Sequence, residues 1–247
     1  MTPLETATAI KAAVYTLGRA FSDCPKSLSR ARAIGLTGWG FYVAGRAGVL
    51  GDVRPEVAAA AMGFVALDAV RDGWLASRRI ARPAEIAAIS LSECSRWGRE
   101  RLGGLPEIGT LATLAEQAAR SADATGMPLF AAWRAVPLPD NDPGARAAVA
   151  LHLLREHRGA AHVLAIRVAG LSPVEAIVAG PDGRAGAQAF GWPPPYPDPA
   201  PLLRRRAEAE RHTDKIAADA YRTLGAGERA ELVRLLLGLR NQLDRAA

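Results

Sequence analysis

Six prolines, Pro3, Pro25, Pro55, Pro83, Pro143 and Pro173, each stand at the head of a run rich in alanine, leucine and arginine. Proline has no backbone N–H and a φ fixed near the helical value, so a helix accepts it readily only in the first turn. The pattern marks helix starts. It predicts helices over 3–21, from 25 to a stop at Gly35, over 55–71 and over 83–102. Further helices are expected over 107–124, from 143 to 158 with 160–169 continuing or bending at Gly159, from 173, and over 201–222 and 227–243. Ser172 and Glu175 bracket Pro173 in the manner of a capping box. β-Branched and aromatic residues are sparse and no strand-like run appears, so the expected fold is all-α.

Organisation follows from the breaks. Gly103-Gly104 divides an N-terminal half, 1–104, from a C-terminal half, 105–247, and the two are expected to pack on each other. The stretch 136-VPLPDNDPG-144 reads as a proline-and-acid turn. Six prolines in 190-FGWPPPYPDPAP-201 rule out helix or central strand and predict an extended connector over 192–201. Leu232, Leu235, Leu236, Leu239 and Leu243 recur at heptad-like spacing near the C-terminus and suggest a homodimer.

Composition excludes several classes. No run approaches the roughly 18 apolar residues that span a bilayer, and MTPLETATAI has no basic-then-apolar leader, so a cytoplasmic protein without membrane association is expected. The net charge is +6. Nucleic-acid binding is compatible with it, but only Lys11, Lys26 and Lys215 accompany the arginines, and acids interleave with them. Cys24 and Cys94 make neither a disulfide framework nor a metal knuckle.

The chemistry-bearing stretch is 151-LHLLREHRGAAHVLAI-166. At about 100° per residue, Leu151, Leu154, Arg158, His162 and Ala165 share one face, and Leu153, His157, Ala160 and Leu164 another. A helix apolar on two sides is largely buried, yet it carries Glu156, His157, Arg158 and His162. Buried charge needs partners or a cavity. One reading is an active site, with Glu156, His157 and His162 as acid/base groups and Arg158 gripping an anionic substrate. The other is an ion-pair network that pins the helix to its neighbours. Successive histidines are five residues apart, a rotation of about 140°, so no helical metal site is expected.

In 42-YVAGRAGVLGDV-53 the glycines fit neither a Walker loop nor a dinucleotide fingerprint, and no nucleotide or other cofactor is expected. They suit a close helix contact, with Tyr42 and Arg46 beside the substrate. Arg46 is placed either to reach the Glu156–Arg158 cluster or to pair with Asp52. Thr213 and Asp214, in 210-ERHTDKIA-217, are further substrate-binding candidates, or part of a solvated face.

The runs 126-GMPLFAAWRAVPLPDNDP-143, 153-LLREHRGAAHVLAIRVAGLSPVEAIV-178 and 33-AIGLTGWGFYVAGRAGVLGDVRPEV-57, with the Thr213-Asp214 pair, resemble an actinobacterial family of helix-turn-helix or MarR-like proteins. The resemblance spans roughly residues 10–240. It implies a winged-helix-related fold and DNA-binding regulation. In that family a Gly-Trp signal leads into the winged segment, whereas here Gly191-Trp192 leads directly into the proline run, so the wing is expected to be reduced or absent. Three functions follow as expectations: a metal-independent enzyme of secondary metabolism acting on a small anionic molecule, a DNA-binding regulator, or a protein that sequesters a ligand unchanged.

Overall fold

A computed structural model describes residues 1–137 and 141–245. It has thirteen α-helices and, among the described residues, no strand. They are α1 (Pro3–Leu17), α2 (Pro25–Ala33), α3 (Gly38–Ala47), α4 (Pro55–Met62), α5 (Leu67–Arg78), α6 (Pro83–Leu102), α7 (Ile108–Ser121), α8 (Pro128–Ala135), α9 (Pro143–Val168), α10 (Pro173–Val178), α11 (Gly183–Ala189), α12 (Leu203–Ala217) and α13 (Ala226–Arg245). All six prolines occupy first turns, and Ser172 and Glu175 close the expected capping box.

The 26-residue α9 is the axis of the fold, packed by α1, α6, α7, α8 and α12. It runs unbroken through Gly159, and Asp142 caps it by accepting from the Ala145 N–H at 2.8 Å. Its backbone comes very near that of α6 where the two helices cross. A Cβ on Gly98 would lie 2.3 Å from the Gly144 carbonyl oxygen, and one on Gly144 would lie 2.5 Å from that of Gly98. Two glycines thus let backbone touch backbone, and this contact joins the two halves of the chain.

The largest core gathers α1, α6, α7, α9 and α13; a second lies among α2 to α5 and the start of α6; a third fills the space between the end of α9, α10 and α12. Although α1 belongs to the N-terminal half, it packs on α12 and α13 as well as α9. The leucine stripe lies in that contact. Leu232, Leu236 and Leu239 are buried within the chain, so they are not a free dimer seam.

Three helix expectations need correction. The first helix ends at Leu17, and the one expected over 201–222 finishes in a 3-10 turn, Ala218–Tyr221. The single helix expected over 55–71 is two, because Gly63 takes φ +77° and turns the chain over residues 63–66. A Cβ there would sit 2.4 Å from Val163 Cγ2. The connector expected over 192–201 has no regular structure as far as Pro199, and Ala200–Leu202 form a 3-10 turn that leads into α12. The Trp192 indole N–H donates to the Phe64 carbonyl at 2.8 Å, and the Ala66 N–H to that of Phe190 at 2.9 Å, tying the connector to the 63–66 turn. The turn expected over 136–144 lies partly outside the described residues. No described helix is long and apolar enough to cross a membrane.

Candidate functional site: a guanidinium-lined cleft on the central helix

The polar residues 155–162 of α9 point three ways, and the structure separates the expected cluster accordingly. Toward α3, the Glu156 side chain is fully buried and meets Arg46 through paired bonds: Nε to Oε1 at 2.9 Å and Nη2 to Oε2 at 3.0 Å. Arg155 adds a third bond, Nη1 to Oε1 at 2.5 Å. Arg46 therefore reaches α9, while Asp52 pairs with Arg78. Burial alone would raise the Glu156 carboxyl, but Arg46 and Arg155 outweigh it and hold it at about 2. Glu156 is locked as a carboxylate.

Toward α12, Arg158 bonds Asp214 at 2.7 Å and Glu210 at 3.5 Å, and Asp214 also takes the Thr8 hydroxyl and lies 3.7 Å from Lys11. Thr213 donates its hydroxyl hydrogen to the Ala209 carbonyl, so His162 Nδ1, at 2.8 Å, is the donor to Thr213 Oγ1. Phe64 stacks on the His162 ring, with centroids 5.2 Å apart. Toward α8, His157 is sealed against Phe130 and bonds the Asp123 backbone. Burial pushes both His157 and His162 down to about 4. The structure brings Arg46, Tyr42 and Glu156 together, brings Arg158, His162, Thr213 and Asp214 together, and leaves His157 apart.

A cleft opens beside the first group. It lies where the end of α1 meets α3, α6 and α9, has a cavity volume of about 20 Å³, and is lined by Arg19, Arg46, Arg155, Tyr42, Ser90 and His152 with Phe21 and Phe41. That is room for roughly one water-sized group. Arg19, Tyr42, Arg46 and Arg155 are only partly buried, so the cleft is reachable from solvent. Three guanidiniums line it, Arg19 paired with Asp23 and both Arg46 and Arg155 with the buried Glu156. The partial negative charge at the C-terminus of α1, about half a unit, offsets the excess only in part. Burial keeps His152 neutral, at about 4. Arg155 is the unsatisfied member: its Nε is buried with no acceptor, and among the described residues its one hydrogen bond runs from Nη1 to Glu156. Sequence reasoning missed Arg155, Arg19, His152 and Ser90 as site residues. The available signal was Arg155 itself, a second cation next to Glu156 on a helix read as buried. Among the described residues no group of three or more His, Cys, Asp or Glu is arranged to hold a metal ion.

An all-α chain built around one long buried helix, with a polar cleft on it, defines the class. The comparison with protein families places it further: the chain belongs to a helix-turn-helix family, whose model matches residues 7–200. No curated protein and no solved structure matches the chain. Among the described residues five helix pairs are joined by four-residue segments, namely α2 and α3 through 34–37, α4 and α5 through 63–66, α5 and α6 through 79–82, α9 and α10 through 169–172, and α10 and α11 through 179–182. Their charge differs: residues 25–47, α2 and α3, hold Lys26, Arg30, Arg32 and Arg46 and no acid, whereas acids accompany the arginines of the others. Residues 52–85 hold five arginines and five acids. Arg71 is engaged with Asp68 and Glu56, and the seven-residue α11 carries a single arginine, Arg184.

Proposed function

We propose that this chain binds a small anionic molecule in the Arg46–Arg155 cleft and holds it without acid/base chemistry. The observation that carries the reading is a cleft lined by three guanidiniums, Arg19, Arg46 and Arg155, and by no carboxylate, one of them with a buried, unpartnered Nε. An unpaired buried donor and an excess buried charge are both costly, and an anion would relieve both. Glu156 near 2 and the histidines near 4 are poorly matched to proton transfer at neutral pH, which favours binding over turnover. The test is a thermal-shift series with small anions at constant ionic strength. The wild-type protein should rise in Tm with at least one anion, and the Arg155→Met variant should not. No anion-dependent rise in the wild type would sink the reading.

Family membership supports a second reading, DNA-binding regulation, with α4 and α5 as the helix pair offered to DNA. It requires a mobility shift of duplex DNA that weakens steeply with salt. Absence of a shift at low salt would remove it. The balanced charge of residues 52–85 and the lack of a strand hairpin among the described residues weigh toward the ligand reading.

A further inference from the structure

The size and the lining of the cleft together narrow the anion. Its cavity volume of about 20 Å³ leaves room for roughly one water-sized group, so carboxylates, phosphate and sulfate, each of several heavy atoms, cannot be enclosed. The donors around it come from separate parts of the chain: Arg19 just beyond α1, Tyr42 and Arg46 on α3, Ser90 on α6 and Arg155 on α9. Ser90 is only 6% exposed, yet its hydroxyl makes no hydrogen bond to any described residue. Its Oγ is not sealed from solvent, and the cleft is the space it lines. A buried hydroxyl without a partner is costly and calls for an occupant. Tyr42 Oη accepts from Arg46 Nη1 at 3.5 Å and likewise donates to no described group.

Resting on the binding reading above, we infer that the anion is a single halide ion, chloride in ordinary salt, seated among Arg19, Arg46 and Arg155 and accepting from the hydroxyls of Ser90 and Tyr42. A monatomic anion is little larger than a water molecule and accepts from any direction. That suits donors brought together from separate elements, whereas a carboxylate or phosphate is matched by one planar fork. Its charge meets three guanidiniums that Asp23 and Glu156, neither of which lines the cleft, offset only in part. Phe21 and Phe41 give the remaining wall an apolar surface, which lowers the local dielectric and strengthens the attraction. Bound there, the ion bridges α3, α6 and α9 and stabilises their junction.

The test is a thermal-shift titration at pH 7 in which sodium chloride, bromide, acetate, phosphate or sulfate replaces sodium gluconate at fixed ionic strength. The proteins are the wild type, Ser90→Ala and Tyr42→Phe, and bromide is located in crystals of the wild type by its anomalous scattering. Chloride and bromide should raise the Tm of the wild type along a saturating curve, with an apparent affinity at least about tenfold tighter than that of any polyatomic anion. Ser90→Ala, which removes one hydrogen bond to a charged group, should lose about tenfold in halide affinity. If Ser90→Ala does not fold, the same loss in Tyr42→Phe decides. A polyatomic anion as tight as chloride overturns the halide assignment and leaves the anion site standing. Unchanged halide affinity in both hydroxyl variants, or bromide found only outside the cleft, overturns the seat assigned to the ion. No rise in Tm with any anion overturns both this inference and the reading beneath it.

Discussion

Glu156 is fully buried against two guanidiniums that are themselves only slightly exposed, and each of the three depends on the others. Removing the carboxylate charge leaves two buried cations facing each other, so Glu156→Gln should cost about 3–5 kcal/mol in urea unfolding. A loss under about 1 kcal/mol would mean the group is more solvated than its burial shows. The acid response belongs to the same scale. His152, His157 and His162 are held below their ordinary value of 6.5, at about 4, because burial disfavours the charged ring. Their neutral forms contribute stability in full above pH 6.5, and it is lost as pH falls from 6.5 towards 4. Glu156 is depressed from 4.5 to about 2, so its contribution is present above 4.5 and lost between there and 2. Unfolding midpoints measured from pH 8 down should be flat to about 7 and begin to fall near 6.5, before the carboxylates titrate. A fall that starts only near pH 4.5 would show the histidines to be accessible. These residues were visible in the sequence as polar groups on apolar faces. Their partners were only half visible: Arg46 could be offered to Glu156 or to Asp52, because that choice is fixed by the angle at which α3 meets α9. A cation next to a buried acid, Arg155, also has no spacing rule to mark it.

At the scale of elements, prolines and caps carried most of the information, and glycines were the hardest residues to interpret. Gly63 reads from sequence as one weak residue inside a helix over 55–71. In the fold its φ of +77° makes it a turn, and Val163 leaves no room for a side chain. Such a glycine is revealed only by what packs against it. Gly98 and Gly144 pose the same problem inside helices, where the backbone is regular and the constraint is external. Gly98→Ala should destabilise the protein by about 1–3 kcal/mol despite the better helix propensity of alanine, since the new methyl meets the Gly144 carbonyl. Gly109, which lies within α7 with nothing within 4 Å of its Cβ position, is the control, and Gly109→Ala should be neutral or stabilising. Equal effects at the two sites, measured by denaturation, would count against the tight α6–α9 crossing.

For the whole molecule, the all-α class was legible from composition and proline placement, whereas the destination of the apolar stripes was not. The leucines of the last helix resemble a dimer seam in sequence, yet α1 returns to cover them. Leu236→Ala should cost about 2–5 kcal/mol of unfolding free energy and leave the oligomeric state unchanged in sedimentation. A dissociating oligomer with little loss of stability would assign that stripe to a partner. The same distinction between internal and external partners governs the cleft. Arg46 and Glu156 satisfy each other, and the Arg155 Nε is left without an acceptor. The account stands on the cleft being a ligand's place. The most direct measurement is a crystal structure determined with the small anion that raises Tm most. It should show that anion in the cleft within about 3 Å of a nitrogen of Arg19, Arg46 or Arg155. The anion found only elsewhere, with water alone in the cleft, would contradict it.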